Sequence, residues 1–94
     1  MAAFATPRDA QADAPRILVV EDNPMDVLTV REVLEREQAS VVAVGGLRSA
    51  LDRCAGEPFD LALLDLGLPD SAGLDTLRDF QEGSGGVPVI VLTG

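Results

Sequence analysis

The chain has 94 residues, 47% of them apolar, and a formal net charge of −9 from 16 acidic and 7 basic side chains. That length fits one domain with a modest core, and that apolar content argues against a disordered chain. The acidic balance speaks against nucleic acid as a direct partner, because phosphate binding needs clustered Lys and Arg; a cation or a basic face on another protein fits better. Cys54 is the single cysteine, so an internal disulfide is excluded, and it reads as a small core residue on a helix. No apolar run approaches the ~18 residues of a membrane span, and Met1 to Ala14 lacks the continuous apolar centre of a signal peptide. A cytoplasmic location without a membrane partner is the expectation.

Met1 to Pro15 is rich in Ala, Asp and Pro without an apolar period, and is expected to be a flexible lead-in to a folded unit over 16–94. Arg16 to Val20 reads as a buried strand. Asn23 is a good helix N-cap and Pro24 suits the first helical position, so a helix is expected from Met25 to about Glu37. Val27, Val30, Val33 and Leu34 give it an apolar stripe, Arg31, Glu32, Glu35 and Arg36 face water, and Glu32 and Arg36 stand at i,i+4 spacing. Ser40 to Val44 is a second strand, broken by Gly45-Gly46. Leu47 to about Ala55 is a second helix burying Leu47, Ala50, Leu51 and Cys54; Gly56-Glu57-Pro58 closes it and Phe59 packs over the join.

Leu61 to Leu64 is too apolar for a half-exposed strand and reads as one buried on both faces. Asp65 is costly inside such a run, and Pro69 cannot continue a central strand, so Asp65 is expected at the strand's carboxyl end. Ser71 is expected to cap a third helix that carries Leu74, Leu77 and Phe80 inward. Glu82 to Gly86 reads as a flexible loop, and Val87 to Leu92 as a fourth strand with Pro88 near its start. The alternation of strand and helix implies right-handed crossovers and a parallel α/β sheet.

Two strands thus end in acids, the first at Glu21-Asp22 and the third at Asp65. Neighbouring parallel strands lie about 4.8 Å apart, so adjacency would bring three carboxylates together. Each pair would repel by roughly 4 kcal/mol at 4 Å and an effective dielectric of ~20. A hard divalent cation that keeps some water, such as Mg²⁺, offsets that repulsion; protonation of one carboxylate with a raised pKa is the alternative. Thr93 ends the fourth strand on the same edge, where its hydroxyl could donate to an anion held at Asp65, with Gly94 leaving room.

Ile17-Leu18-Val19-Val20-Glu21-Asp22-Asn23-Pro24, Leu63-Leu64-Asp65-Leu66-Gly67-Leu68-Pro69, Gly73 and Val89-Ile90-Val91-Leu92-Thr93-Gly94 together resemble the receiver (response regulator) domain of two-component signalling, from Arg16 to Gly94. The resemblance implies a doubly wound, flavodoxin-like parallel sheet in the order 2-1-3-4. It implies Asp65 as phosphoacceptor, taking a phosphoryl group from a histidine kinase or histidine phosphotransfer protein. Asp22, Asp65 and the backbone carbonyl of Gly67 would bind Mg²⁺, with Glu21 acting through water. Thr93 would hydrogen-bond the phosphoryl group and switch, and Pro69 and Gly73 would shape the loop beside Asp65. The chain contains no His, so the phosphoryl donor must lie elsewhere.

Against the family pattern, the sequence stops after the fourth strand, without the fourth helix, the fifth strand and its Lys, and the fifth helix; no Lys occurs in the chain. A truncated receiver is the expectation, with the fourth strand as an exposed edge inviting oligomerisation. It would be a signalling module rather than a metabolic enzyme. One rival is a degenerate receiver that only binds protein, which the absent Lys favours and the intact acids oppose. Another is a hydrolase with an Asp nucleophile, which Gly67 disfavours, since such enzymes need a second Asp two residues on.

Overall fold

The structure is a computed structural model that describes residues 14–92. Most of the expected lead-in, and Thr93 and Gly94, lie outside the described residues. The elements are β1 (Arg16–Val20), α1 (Pro24–Arg36), β2 (Ser40–Val44), α2 (Leu47–Gly56), β3 (Leu61–Asp65), β4 (Gly67–Leu68), β5 (Ser71–Ala72), α3 (Leu74–Gly83) and β6 (Val89–Leu92). Four strands form a parallel sheet in the order β2-β1-β3-β6, the expected doubly wound 2-1-3-4 arrangement once the short β4 and β5 are set aside. Each crossover carries one helix, which is what parallel pairing requires.

β1 lies between β2 and β3, and Ile17 to Val20 are all buried. Leu18, Val20, Ala62 and Leu64 share a core with Leu47 and Ala50 of α2, Phe80 of α3, and Phe59 and Leu68. Leu51, Cys54, Leu77 and Val89 pack against it, half-buried. Burial pushes the Cys54 thiol above its ordinary pKa, which disfavours the reactive thiolate. α1 packs beside β2, and its Asp26, Thr29 and Val30 line a shallow cleft together with Glu21 and with Leu92 of β6. At the opposite end of the sheet, Arg16 and Asp60 exchange backbone and carboxylate bonds while the Arg16 guanidinium holds Glu57 at 2.6 Å, fixing the starts of β1 and β3 together.

Four expectations are corrected. α1 buries no residue completely, and Val33 is 53% exposed, because it stands about 100° around the helix from Leu34. The ion pair along α1 is Arg31–Glu35 at 3.4 Å, not Glu32–Arg36. Ser71 does not cap α3: Gly73 is the cap residue and supplies no side chain, while the Ser71 hydroxyl shares a 2.7 Å hydrogen bond with Thr76. Leu74 is 74% exposed, since it sits two positions before buried Thr76 and therefore on the far side of the helix. Thr76 takes the inward place, its hydroxyl satisfied by Ser71.

Candidate functional site

The parallel register sets Ile17 to Val20 beside Leu61 to Leu64. Glu21 and Asp65 are the next residues on the two strands, so sheet pairing alone delivers both acids to one edge. Glu21 still belongs to the sheet, since its N–H donates to the Val44 carbonyl at 2.9 Å. Asp22 follows as the chain leaves toward α1. Carboxylate oxygens of Glu21, Asp22 and Asp65 all lie within 4.8 Å of one another. Glu21 is 9% exposed and Asp65 8%, while Asp22 faces solvent.

Local bonds hold these acids in place. Asn23 caps α1, its side-chain oxygen accepting from the N–H groups of Met25 and Asp26 at 2.9 and 3.2 Å. The Asn23 N–H in turn donates to Glu21 Oε1 at 3.0 Å. The Gly67 N–H donates to Asp65 Oδ1 at 3.1 Å. Burial, above all, raises the Glu21 pKa; the Asn23 N–H opposes that and the nearby Asp65 charge adds to it. The ion pairs among the described residues join Arg16, Arg31, Arg53 and Arg78 to other acids, and none engages the cluster. Three clustered oxygen donors with no cationic side chain paired to them suit a hard cation that prefers oxygen ligands.

The loop expected beside Asp65 is a small hairpin. Gly67 pairs with Ala72 and Leu68 with Ser71, and the Gly73 N–H donates to the Leu66 carbonyl at 2.8 Å. Gly73 adopts φ 68° and ψ −153°, a combination open essentially to glycine. Asp70, at the tip beside Pro69, reaches across to α2: its Oδ1 accepts from the Leu47 N–H at 2.8 Å and its Oδ2 from the Arg48 N–H at 3.0 Å. Those bonds hold the Asp70 carboxyl below its ordinary pKa, Arg48 first and Leu47 second. Sequence reasoning missed Asp70. The available signal was Gly46, a helix-cap position without a side chain to do the capping.

The structure therefore brings Glu21, Asp22 and Asp65 together and sets Gly67 beside Asp65; Thr93 lies outside the described residues. The family profile for the response regulator receiver domain matches residues 17–94. The chain is 33% identical to the sensor histidine kinase GacS of Pseudomonas protegens, over 96% of this chain and 11% of that protein. It thus spans about a tenth of that relative's length. Among solved structures, the MaeR response regulator bound to beryllium trifluoride superposes with a TM-score of 0.77 at 32% identity, covering 85% of this chain and 67% of that one. The receiver domain of the sensor histidine kinase PA1611 from Pseudomonas aeruginosa, with a magnesium ion coordinated in its active-site cleft, gives 0.76 at 29% identity, with 85% and 67% covered.

Proposed function

We propose that this chain, which belongs to the response regulator receiver family of two-component signalling, accepts a phosphoryl group on Asp65 from a histidine of a partner kinase or phosphotransfer protein. The observation that carries the proposal is the convergence of Glu21, Asp22 and Asp65 within 4.8 Å at the carboxyl edge of the sheet, where open α/β sheets place their ligands. An Asp65 carboxylate oxygen attacks phosphorus, the phosphorus–nitrogen bond to the partner's imidazole breaks, and its electron pair stays on that nitrogen. The product is an acyl phosphate on Asp65. It is a signalling mark rather than a step in the turnover of a metabolite.

Asp22, Asp65 and the Gly67 backbone carbonyl would hold Mg²⁺, with Glu21 acting through water. The oxygen-only donor set fits that ion, and the magnesium-bearing PA1611 receiver supports it. When bound, the metal supplies charge neutralisation at the phosphoryl oxygens. Burial of Glu21 and Asp65 limits how far water screens that attraction, although Asp22 faces solvent. The Gly67 N–H fixes one oxygen of Asp65 and leaves the other for attack. Thr93 would donate its hydroxyl to the transferred group. No helix among the described residues is long and apolar enough to cross a membrane.

The test is incubation of the folded chain with a small acyl phosphate and Mg²⁺, read by intact mass. A base-labile gain of about 80 Da, one phosphoryl group, is expected in the wild type and not in Asp65→Asn. A chain that is folded by circular dichroism and takes no label would overturn the proposal.

A further inference from the structure

We propose that Asp70 is a positioning residue for the acidic site: by capping α2 from the hairpin tip, it locks Gly67 in place against the Glu21–Asp22 edge and so sets the affinity for Mg²⁺. This rests on the reading of Asp65 and Gly67 given above. The bonds form a closed circuit. Glu21 is tied to Val44 at the end of β2, and the chain then passes Gly45, where a Cβ would stand 3.9 Å from the Asp22 Cα. Gly46 follows and opens α2, whose first two N–H groups go to Asp70. From Asp70 the hairpin returns through Leu68 and Gly67 to Asp65, and Asp65 adjoins Glu21 through the register of β3 and β1.

Helices with a polar residue at the cap position satisfy their first N–H groups locally. α2 has no such side chain. A Cβ on Gly46 would come within 3.1 Å of both Asp70 carboxylate oxygens, tighter than ordinary contact. The cap position is bare, and the space is filled by a carboxylate that lies 23 and 22 residues along the chain from the Leu47 and Arg48 N–H groups it accepts from. A local cap would stabilise α2 alone. A remote cap also fixes the segment that carries it, and that segment holds the one proposed metal ligand that is a backbone carbonyl.

The test compares Mg²⁺ binding by calorimetry at fixed ionic strength in the wild-type chain, Asp70→Ala, Asp70→Asn and Asp70→Glu, with amide NMR shifts of Leu47, Arg48 and Gly67 and a circular dichroism check of folding. Asp70→Ala loses the cap, and Asp70→Glu keeps the charge but sets the carboxylate one methylene further out and off the cap geometry; both are expected to weaken Mg²⁺ binding about tenfold, as loss of a group supporting a metal ligand does. Asp70→Asn keeps the reach and one acceptor, and is expected to stay within about threefold of wild type. Gly67 and Leu47 amide shifts should move together in the two weak variants. Equal affinities in all four chains would overturn the inference. So would wild-type affinity in Asp70→Glu with equal losses in the other two, which would make the effect one of charge alone. If Asp70→Ala fails to fold, the order of Asp70→Asn and Asp70→Glu decides. Asp65→Asn serves as the reference: weakened binding there with unchanged Asp70 variants sinks only this inference, whereas a wild-type chain that binds no Mg²⁺ sinks the metal reading as well.

Discussion

Replacing Asp65 by Asn should destroy the site and stabilise the fold. Glu21 and Asp65 are both almost fully buried, and their oxygens lie no more than 4.8 Å apart. Two unit charges at that distance repel by about 3.5 kcal/mol at an effective dielectric of ~20. Water beside exposed Asp22 and at the sheet edge reduces this, leaving about 1–2 kcal/mol to be regained when one charge is removed. Little is lost in exchange, because the amide oxygen of Asn can still accept from the Gly67 N–H that now bonds Asp65. For a domain of this size each kcal/mol moves Tm by about 4–8 °C, so Asp65→Asn should melt roughly 5–10 °C above wild type in a chelator at neutral pH and low salt. Saturating Mg²⁺ should close or reverse the gap, since a ligand at 100 times its Kd adds about 2.7 kcal/mol to the chain that binds it. The assay is thermal denaturation followed by circular dichroism, with and without metal. A metal-free Asp65→Asn that melts at or below wild type would refute the argument, for it would mean that the cluster carries no net repulsion in the native state.

Two further outcomes follow from the same structure. Phe80 is fully buried in the core shared by the sheet, α2 and α3, so Phe80→Ala should cost about 3–5 kcal/mol, enough to unfold much of a small domain at room temperature; a urea midpoint close to wild type would show that the core closes over the gap. Asp70 should titrate below an ordinary aspartate, because two N–H bonds favour its charged form. The unfolded chain then binds more protons between the two pKa values, so the Asp70 contribution is present above the ordinary value and is lost as pH falls through the folded one. A carboxyl NMR titration should find that low midpoint, and Asp70→Asn should remove this part of the acid dependence; a midpoint at or above the ordinary value would contradict the capping geometry.

Much of the site was legible because it follows from sheet pairing. The apolar runs at Ile17 to Val20 and Leu61 to Leu64 read as strands; Ile17 to Val20 are buried as expected, whereas Leu61 and Leu63 on β3 are only half-buried, so that strand is not closed on both faces. The acids that end the two runs must emerge at one edge if the strands are neighbours. The register that joins Val20 to Leu64 meets that condition. The Asn23–Pro24 start of α1 was equally plain, since a cap and its helix lie within three residues of each other.

What the sequence by itself determined is the alternation of strands and helices and the three acids at strand ends, because hydrophobic period, caps and breakers act over a few residues. Only the tertiary structure decided that Leu74 points to solvent while Thr76 is buried, that Ser71 bonds Thr76 rather than capping α3, and that Asp70 caps a helix more than twenty residues away. Those choices turn on the hairpin after Asp65, whose bonds between Leu66 and Gly73 reset where α3 begins and which face it turns inward. No local pattern encodes a carboxylate's partner at that separation; the chain must first fold to bring the hairpin tip and the start of α2 within hydrogen-bonding distance.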